Sequence, residues 1–207
     1  GDFITYLNNQ IENQKEQIEF FLYKMFSHYE KQGEITVTNM HRFLESYFSP
    51  YADPILPLFV AKGNELTYEG TVLFRQDKMV DEITSLDDSL FQTLYKKERF
   101  LQTLPIPEKE ITLGSLHCES QVTFHRSGEM HIQFELKGRL EEYHGKRDLS
   151  QYKEAENLKK ELESFLEQQV AQIIKTIQKL KIDPLRIGEQ TLTPFAQPYT
   201  RESWLEE

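Results

Sequence analysis

The apolar positions change their period along the chain, and each change marks a different kind of element. Ile4, Leu7, Ile11, Ile18, Leu22, Met25, Phe26 and Tyr29 recur at steps of three, four and seven, the spacing of one helical face. The stripe lapses at Gln14 and Lys15, and Gly33 is a natural stop. Thr36 or Thr38 is placed to cap a second helix that carries Met40, Phe43, Leu44, Tyr47 and Phe48. That helix has to end before Pro50. The following SPYADPILP holds three prolines and reads as extended coil. It divides the chain into a helical region, 1–60, and a C-terminal α+β domain, 61–207.

From Leu66 the period drops to two. Leu66, Tyr68, Val72 and Phe74 predict a strand interrupted at Gly70, Gln76-Asp77 a turn, and Met79 to Ile83 a returning strand. A short helix is expected from about Leu86 to Lys97, with Ser85 and Asp88 spaced as a capping box. Pro105 and Pro107 break the chain again.

A second hairpin follows. Leu116, Cys118, Val122 and Phe124 alternate on one side, with Ser120 interrupting, and Met130, Ile132, Phe134, Leu136 and Leu140 alternate on the return. Cross-strand partners share a face, so the two apolar sets must meet. A two-residue loop would set Phe124 against His131, oil against water. The expectation is therefore Phe124 opposite Ile132, Val122 opposite Phe134, and an odd loop around Ser127-Gly128-Glu129.

The polar turn GRLEEYHGKRDLS then leads into one long helix, from about Gln151 to Lys181, roughly 46 Å at the usual rise. Leu158, Leu162, Phe165, Leu166, Val170, Ile173, Ile174, Ile177 and Leu180 fill about half its circumference, a stripe broad enough to pack on a sheet. Each contributes about 1.5–3 kcal/mol on burial, which makes this helix a main source of stability. Asp183-Pro184-Leu185-Arg186-Ile187-Gly188 ends it. The fold class is α+β: an antiparallel sheet covered by one long C-terminal helix, after a mainly helical segment.

Composition adds limits. A hydrophobic fraction of 38% with 12% aromatic residues is that of a folded chain. The net charge of −10 is spread with basic residues interleaved, so no basic stripe offers itself to nucleic acid. No run of about 18 apolar residues is present. The opening GDFITYLNNQ lacks the basic and apolar regions of a secretory leader and reads as starting inside a helix. Cys118 is the only cysteine, so no internal disulfide forms.

Candidate chemistry is sparse. The expected register sets His125 opposite His131 on the polar face, with His117 beside them, but a metal site needs a third ligand and none is identifiable. Cys118 falls on the apolar face, as a small buried hydrophobe rather than a nucleophile. Glu141 and Glu142 are adjacent near a strand end and point apart. Phe20, Phe21 and Tyr23 lie off the main helical stripe and face either a second wall of the core or another part of the protein. GxSxG, P-loop and HExxH motifs are all missing. No segment assembles an active site, and no catalytic, cofactor-binding or metal-ligating residue is assigned.

The run ITLGSLHCESQVTFHRSGEMHIQFELKGRLEEYHGKRDLS, the helix after it, and KIDPLRIGEQ together resemble the C-terminal domain of the Ger(x)C family. These are the C subunits of nutrient-germinant receptors in spores of Bacillus and its relatives. Upstream, YEGTVLFRQDKMVDEIT is similar to that family's Gly-x-Ala-x-Phe-x-x-Asp-Lys-x-Val segment through Gly70, Phe74, Asp77, Lys78 and Val80, and PILP (Pro54 to Pro57) matches its proline-bearing link. Three departures stand out. Asp81 replaces a frequent glycine, so the second strand is expected to end early. Family members are longer at the front, with a signal peptide and a lipid-modified cysteine. They also continue past the final tryptophan into one more strand, so the sheet is expected to lack an edge strand. The resemblance implies a non-enzymatic subunit of a germinant receptor complex, needed for nutrient-induced germination. It would lie at the outer face of the spore inner membrane on a lipid anchor outside this chain, and act as a docking scaffold for membrane-embedded A and B subunits. The alternative it leaves open is an extracytoplasmic module that binds the germinant itself.

Overall fold

A computed structural model of the chain describes residues 18–31, 35, 38, 40–62, 65–124, 129–190 and 200–205. Two helices come first, α1 (Ile18–Lys31) and α2 (Met40–Phe48), followed by strands β1 (Ile55–Lys62), β2 (Glu65–Arg75) and β3 (Lys78–Thr84). Helix α3 (Ser85–Lys96) leads to β4 (Glu98–Ile106), β5 (Ile111–Phe124) and β6 (Met130–Tyr143). The long helix α4 (Tyr152–Leu180) and the short α5 (Ile187–Gln190) and α6 (Arg201–Trp204) complete the order. The strands form two three-stranded antiparallel sheets, β1-β2-β3 and β4-β5-β6. The class is α+β, as the alternation of periods predicts.

Helix α4 lies within a residue of its expected bounds. Leu166, Val170, Ile173 and Ile177 are buried in one core with Leu101, Leu104, Ile106, Leu116 and Cys118 of the second sheet, and Ile132, Phe134 and Leu136 pack against it half-buried. Its last turn closes on Lys181, whose left-handed backbone (φ 50°) returns its N–H to the carbonyls of Ile177 and Gln178. Helix α3 touches β2 and β3 on one side and β4, β5 and α4 on the other, so Leu90, Phe91 and Leu94 join both sheets into that core. Elsewhere Phe26 and Tyr29 of α1 meet Phe59 of β1 edge-on, and Phe43 of α2 meets Phe74 of β2 in the same way.

Several expectations need correction. SPYADPILP is not coil throughout: Ile55 opens β1, which pairs with β2 from Ile55↔Leu73 to Lys62↔Glu65, and Pro57 is tolerated because β1 is an edge strand. Pro105 likewise sits inside β4, an edge strand opposite Thr112, and only Pro107 ends it, by starting a short 3₁₀ turn. The strand at Asp81 does not end early; Asp81 pairs with Leu73 and β3 runs on to Thr84. The capping box does not form, since Thr84 is the N-cap without a side-chain bond and Asp88 turns inward to β2. The buried Thr38 hydroxyl finds no hydrogen-bond partner among the described residues and does not cap α2. Helix α2 stops before Pro50 as expected, but its stripe is split. Phe43 packs inward, while Met40 (71%), Leu44 (42%) and Phe48 (75%) are exposed.

In the second hairpin the parity is as predicted and the register is two residues off. Phe124 opposes Met130, Val122 opposes Ile132, Ser120 opposes Phe134 and Cys118 opposes Leu136. Alternation fixes which face is apolar, but registers two residues apart satisfy it equally. Ser120, which interrupts the apolar row, is buried: its N–H bonds the Lys97 carbonyl and its hydroxyl bonds the Thr93 carbonyl at the end of α3. His131 faces Thr123. His125, the loop at 127–128, and Ile4, Leu7, Ile11, Gly33 and Thr36 lie outside the described residues.

Candidate functional site

The DPxxIG exit of α4 turns out to build a buried junction. Asp183 is 4% exposed, and its carboxylate accepts the Ile187 N–H at 3.0 Å, the Gly188 N–H at 2.7 Å and the Trp204 indole N–H at 3.0 Å. It thus caps α5 and anchors α6. The Asp183 N–H donates to the Asp53 carboxylate at 2.8 Å, and the Asp53 N–H donates to the Asp183 carbonyl at 2.9 Å. Arg201 completes the cluster by donating to the other Asp53 oxygen at 2.6 Å. A Cβ on residue 188 would stand 2.8 Å from the indole nitrogen, so only glycine admits Trp204 there. Burial pushes the Asp183 carboxyl above the usual carboxylate range. The donors and acceptors are spent on one another, which makes the junction a fastening.

A second polar cluster joins β2 to α3. The buried Asp88 accepts from Thr71 at 2.6 Å and from Tyr68 at 2.7 Å, and the Gln92 amide donates to Thr71 at 2.7 Å. Burial raises the pKa of Asp88, and burial with the neighbouring carboxylate raises that of Tyr68. Every member bonds another, so this too is a structural network.

The outward face of the second sheet is different. On β4 and β5, Glu98 opposes Glu119 and Phe100 opposes His117. Both carboxylates reach the same imidazole nitrogen, Glu98 at 3.0 Å and Glu119 at 3.2 Å. Phe100, 66% exposed, stacks on that imidazole with centroids 4.5 Å apart and planes 7° from parallel, which holds the ring in place. The ligand atoms of Glu98, His117 and Glu119 lie within 4.8 Å of one another, and carboxylate with imidazole is a donor set that suits a divalent cation or a cationic side chain. Lys137 opposes His117 on β6 and pairs with Glu135 at 3.0 Å, and Arg139 pairs with Glu141 at 3.0 Å. The face is thus a charged lattice around the exposed ring of Phe100.

Of the residues singled out in the sequence, His117 enters this cluster and His131 does not. Cys118 is fully buried and its thiol is pushed up to about 11, chiefly by burial, which removes it as a nucleophile. Glu141 and Glu142 do part, Glu141 to Arg139 and Glu142 to the Thr112 hydroxyl at 3.2 Å. Tyr23 is exposed on α1. Glu98, Phe100 and Glu119 escaped the sequence reading because Pro105 hid β4, and without β4 nothing places Glu98 beside His117.

Two family descriptions match the chain: "Spore germination protein N-terminal domain" over residues 2–61, and "Spore germination B3/ GerAC like, C-terminal" over residues 69–207. The chain is 24% identical over 203 residues to "Spore germination protein GerQC" of Bacillus cereus, covering 94% of this chain and 56% of that relative. It therefore spans little more than half the length of the relative it matches. No solved structure matches it.

Proposed function

The chain belongs to the Ger(x)C family of spore germination proteins, and from that membership we propose that it is a non-enzymatic subunit of a nutrient-germinant receptor. It acts as a docking scaffold at the outer face of the spore inner membrane. A lipid anchor outside these residues holds it there, beside membrane-embedded A and B subunits. No described helix is long and apolar enough to cross a membrane. The observation that carries the reading is the ordered match of both family domains along almost the whole chain.

The docking surface we assign is the outward face of β4 and β5 around Phe100. An exposed aromatic ring ringed by charge is the composition of an interface centre with its polar rim. Reversing Glu98 and Glu119 to lysine tests it. Both side chains are well exposed, so the fold tolerates the change. Affinity capture of the variant from spores should recover roughly ten-fold less of the membrane subunits than the parent chain does. Undiminished recovery would move docking to another surface.

A further inference from the structure

We propose that Glu98, His117 and Glu119 form a binding site for a divalent transition-metal ion of the zinc type, which ties β4 to β5 on the outward face of the second sheet. Pairing brings three glutamates side by side there, Glu98 against Glu119 and Glu119 against Glu135. Like charges directly opposite one another are destabilising, so the row calls for cations. Lys137 answers Glu135 at 3.0 Å. Glu98 and Glu119 do not turn apart. Both converge on His117 Nε2, at 3.0 and 3.2 Å. One ring nitrogen carries at most one proton, so it serves only one of the two carboxylates well. A metal ion held by all three side chains satisfies both carboxylates and the imidazole together.

The separations suit such an ion. Ligands about 2.0–2.2 Å from zinc stand roughly 3.0–3.5 Å from one another. Both Nε2–oxygen separations fall in that range, and all three donor atoms lie within 4.8 Å of one another. Glu98 is well exposed, so rotation of its side chain closes the remaining distance. The imidazole is already oriented: Phe100 stacks on it with centroids 4.5 Å apart and planes 7° from parallel, so little rotamer freedom is lost on binding. The ligands stand on paired strands rather than on a loop, which fixes their spacing. An imidazole beside two carboxylates favours a transition-metal ion over Ca²⁺ and Mg²⁺, which take oxygen ligands in larger number. The charge of Lys137 also reaches Glu119 and competes with the ion. The site goes beyond the docking reading and does not rest on it.

Calorimetric titration of the chelator-stripped chain with Zn²⁺, with no partner subunit present, tests the site. The parent chain should bind one Zn²⁺ ion here, and Ca²⁺ or Mg²⁺ at least ten-fold more weakly. His117→Gln and Glu98→Gln should each weaken Zn²⁺ roughly ten-fold or more. Lys137→Gln should instead tighten it several-fold, a change of sign that general loosening of the fold would not produce. A chain that binds no Zn²⁺, binding indifferent to His117→Gln, Ca²⁺ held as tightly by the same residues, or a Lys137→Gln variant no tighter than the parent would each overturn the proposal. The docking reading is tested by capture of membrane subunits and this one by the isolated chain, so either can fail without the other.

Discussion

Asp183 accepts three N–H groups with two oxygens and offers its own N–H to Asp53, so both faces of one residue are committed. Replacing it with asparagine keeps the shape but turns an NH₂ toward at least one of those donors. Asp183→Asn should therefore cost roughly 2–3 kcal/mol in urea unfolding, the penalty for a buried donor left unpaired. Lys96 gives a pH signature. Its ammonium donates to the Ile35 carbonyl at 2.7 Å, and burial depresses its pKa to about 8, from an ordinary 10.5. Between those values the unfolded chain binds more protons than the folded one, so this residue makes stability rise as pH increases from about 8 toward 10.5. Chemical denaturation across that window should show the rise in the parent chain and lose it in Lys96→Met. At this scale little was legible beforehand. His117 and Cys118 were seen as outward and inward, because alternation assigns faces, but the carboxylates around His117 come from pairing that no local pattern encodes.

At the scale of elements the sequence was most informative where one period persisted. Helix α4 has a stripe that runs its whole length, so its bounds and its buried face were both readable. The second hairpin shows the limit: its parity followed from oil meeting oil, a condition that registers two residues apart meet equally. Strands β1 and β4 stayed hidden because proline lowers the local case for a strand, although proline is compatible with an edge. Gly70 interrupts the apolar alternation of β2 and is required there. It sits in the middle of β2 between Leu58 and Thr84, where a Cβ would stand 2.0 Å from the Ile83 carbonyl oxygen. Gly70→Ala should cost about 3 kcal/mol and lower the thermal midpoint by several degrees in calorimetry.

Across the whole molecule, the division drawn near residue 60 runs through β1, the strand that pairs on to β2. Contacts cross it from Tyr29 of α1 to Tyr68 of β2, ring centroids 6.2 Å apart, and Arg186 of the α4 exit reaches back to Glu45 of α2 at 2.9 Å. Long ties also meet at the buried junction, where Asp53 meets Asp183, 130 positions away, and Arg201, 148 positions away. This has a bearing on biogenesis. A ribosome adds about 5–20 residues per second, so Asp53 is exposed to water for several seconds before its partners emerge. Until then the early strands must wait as an unfinished intermediate, in need of protection from premature association.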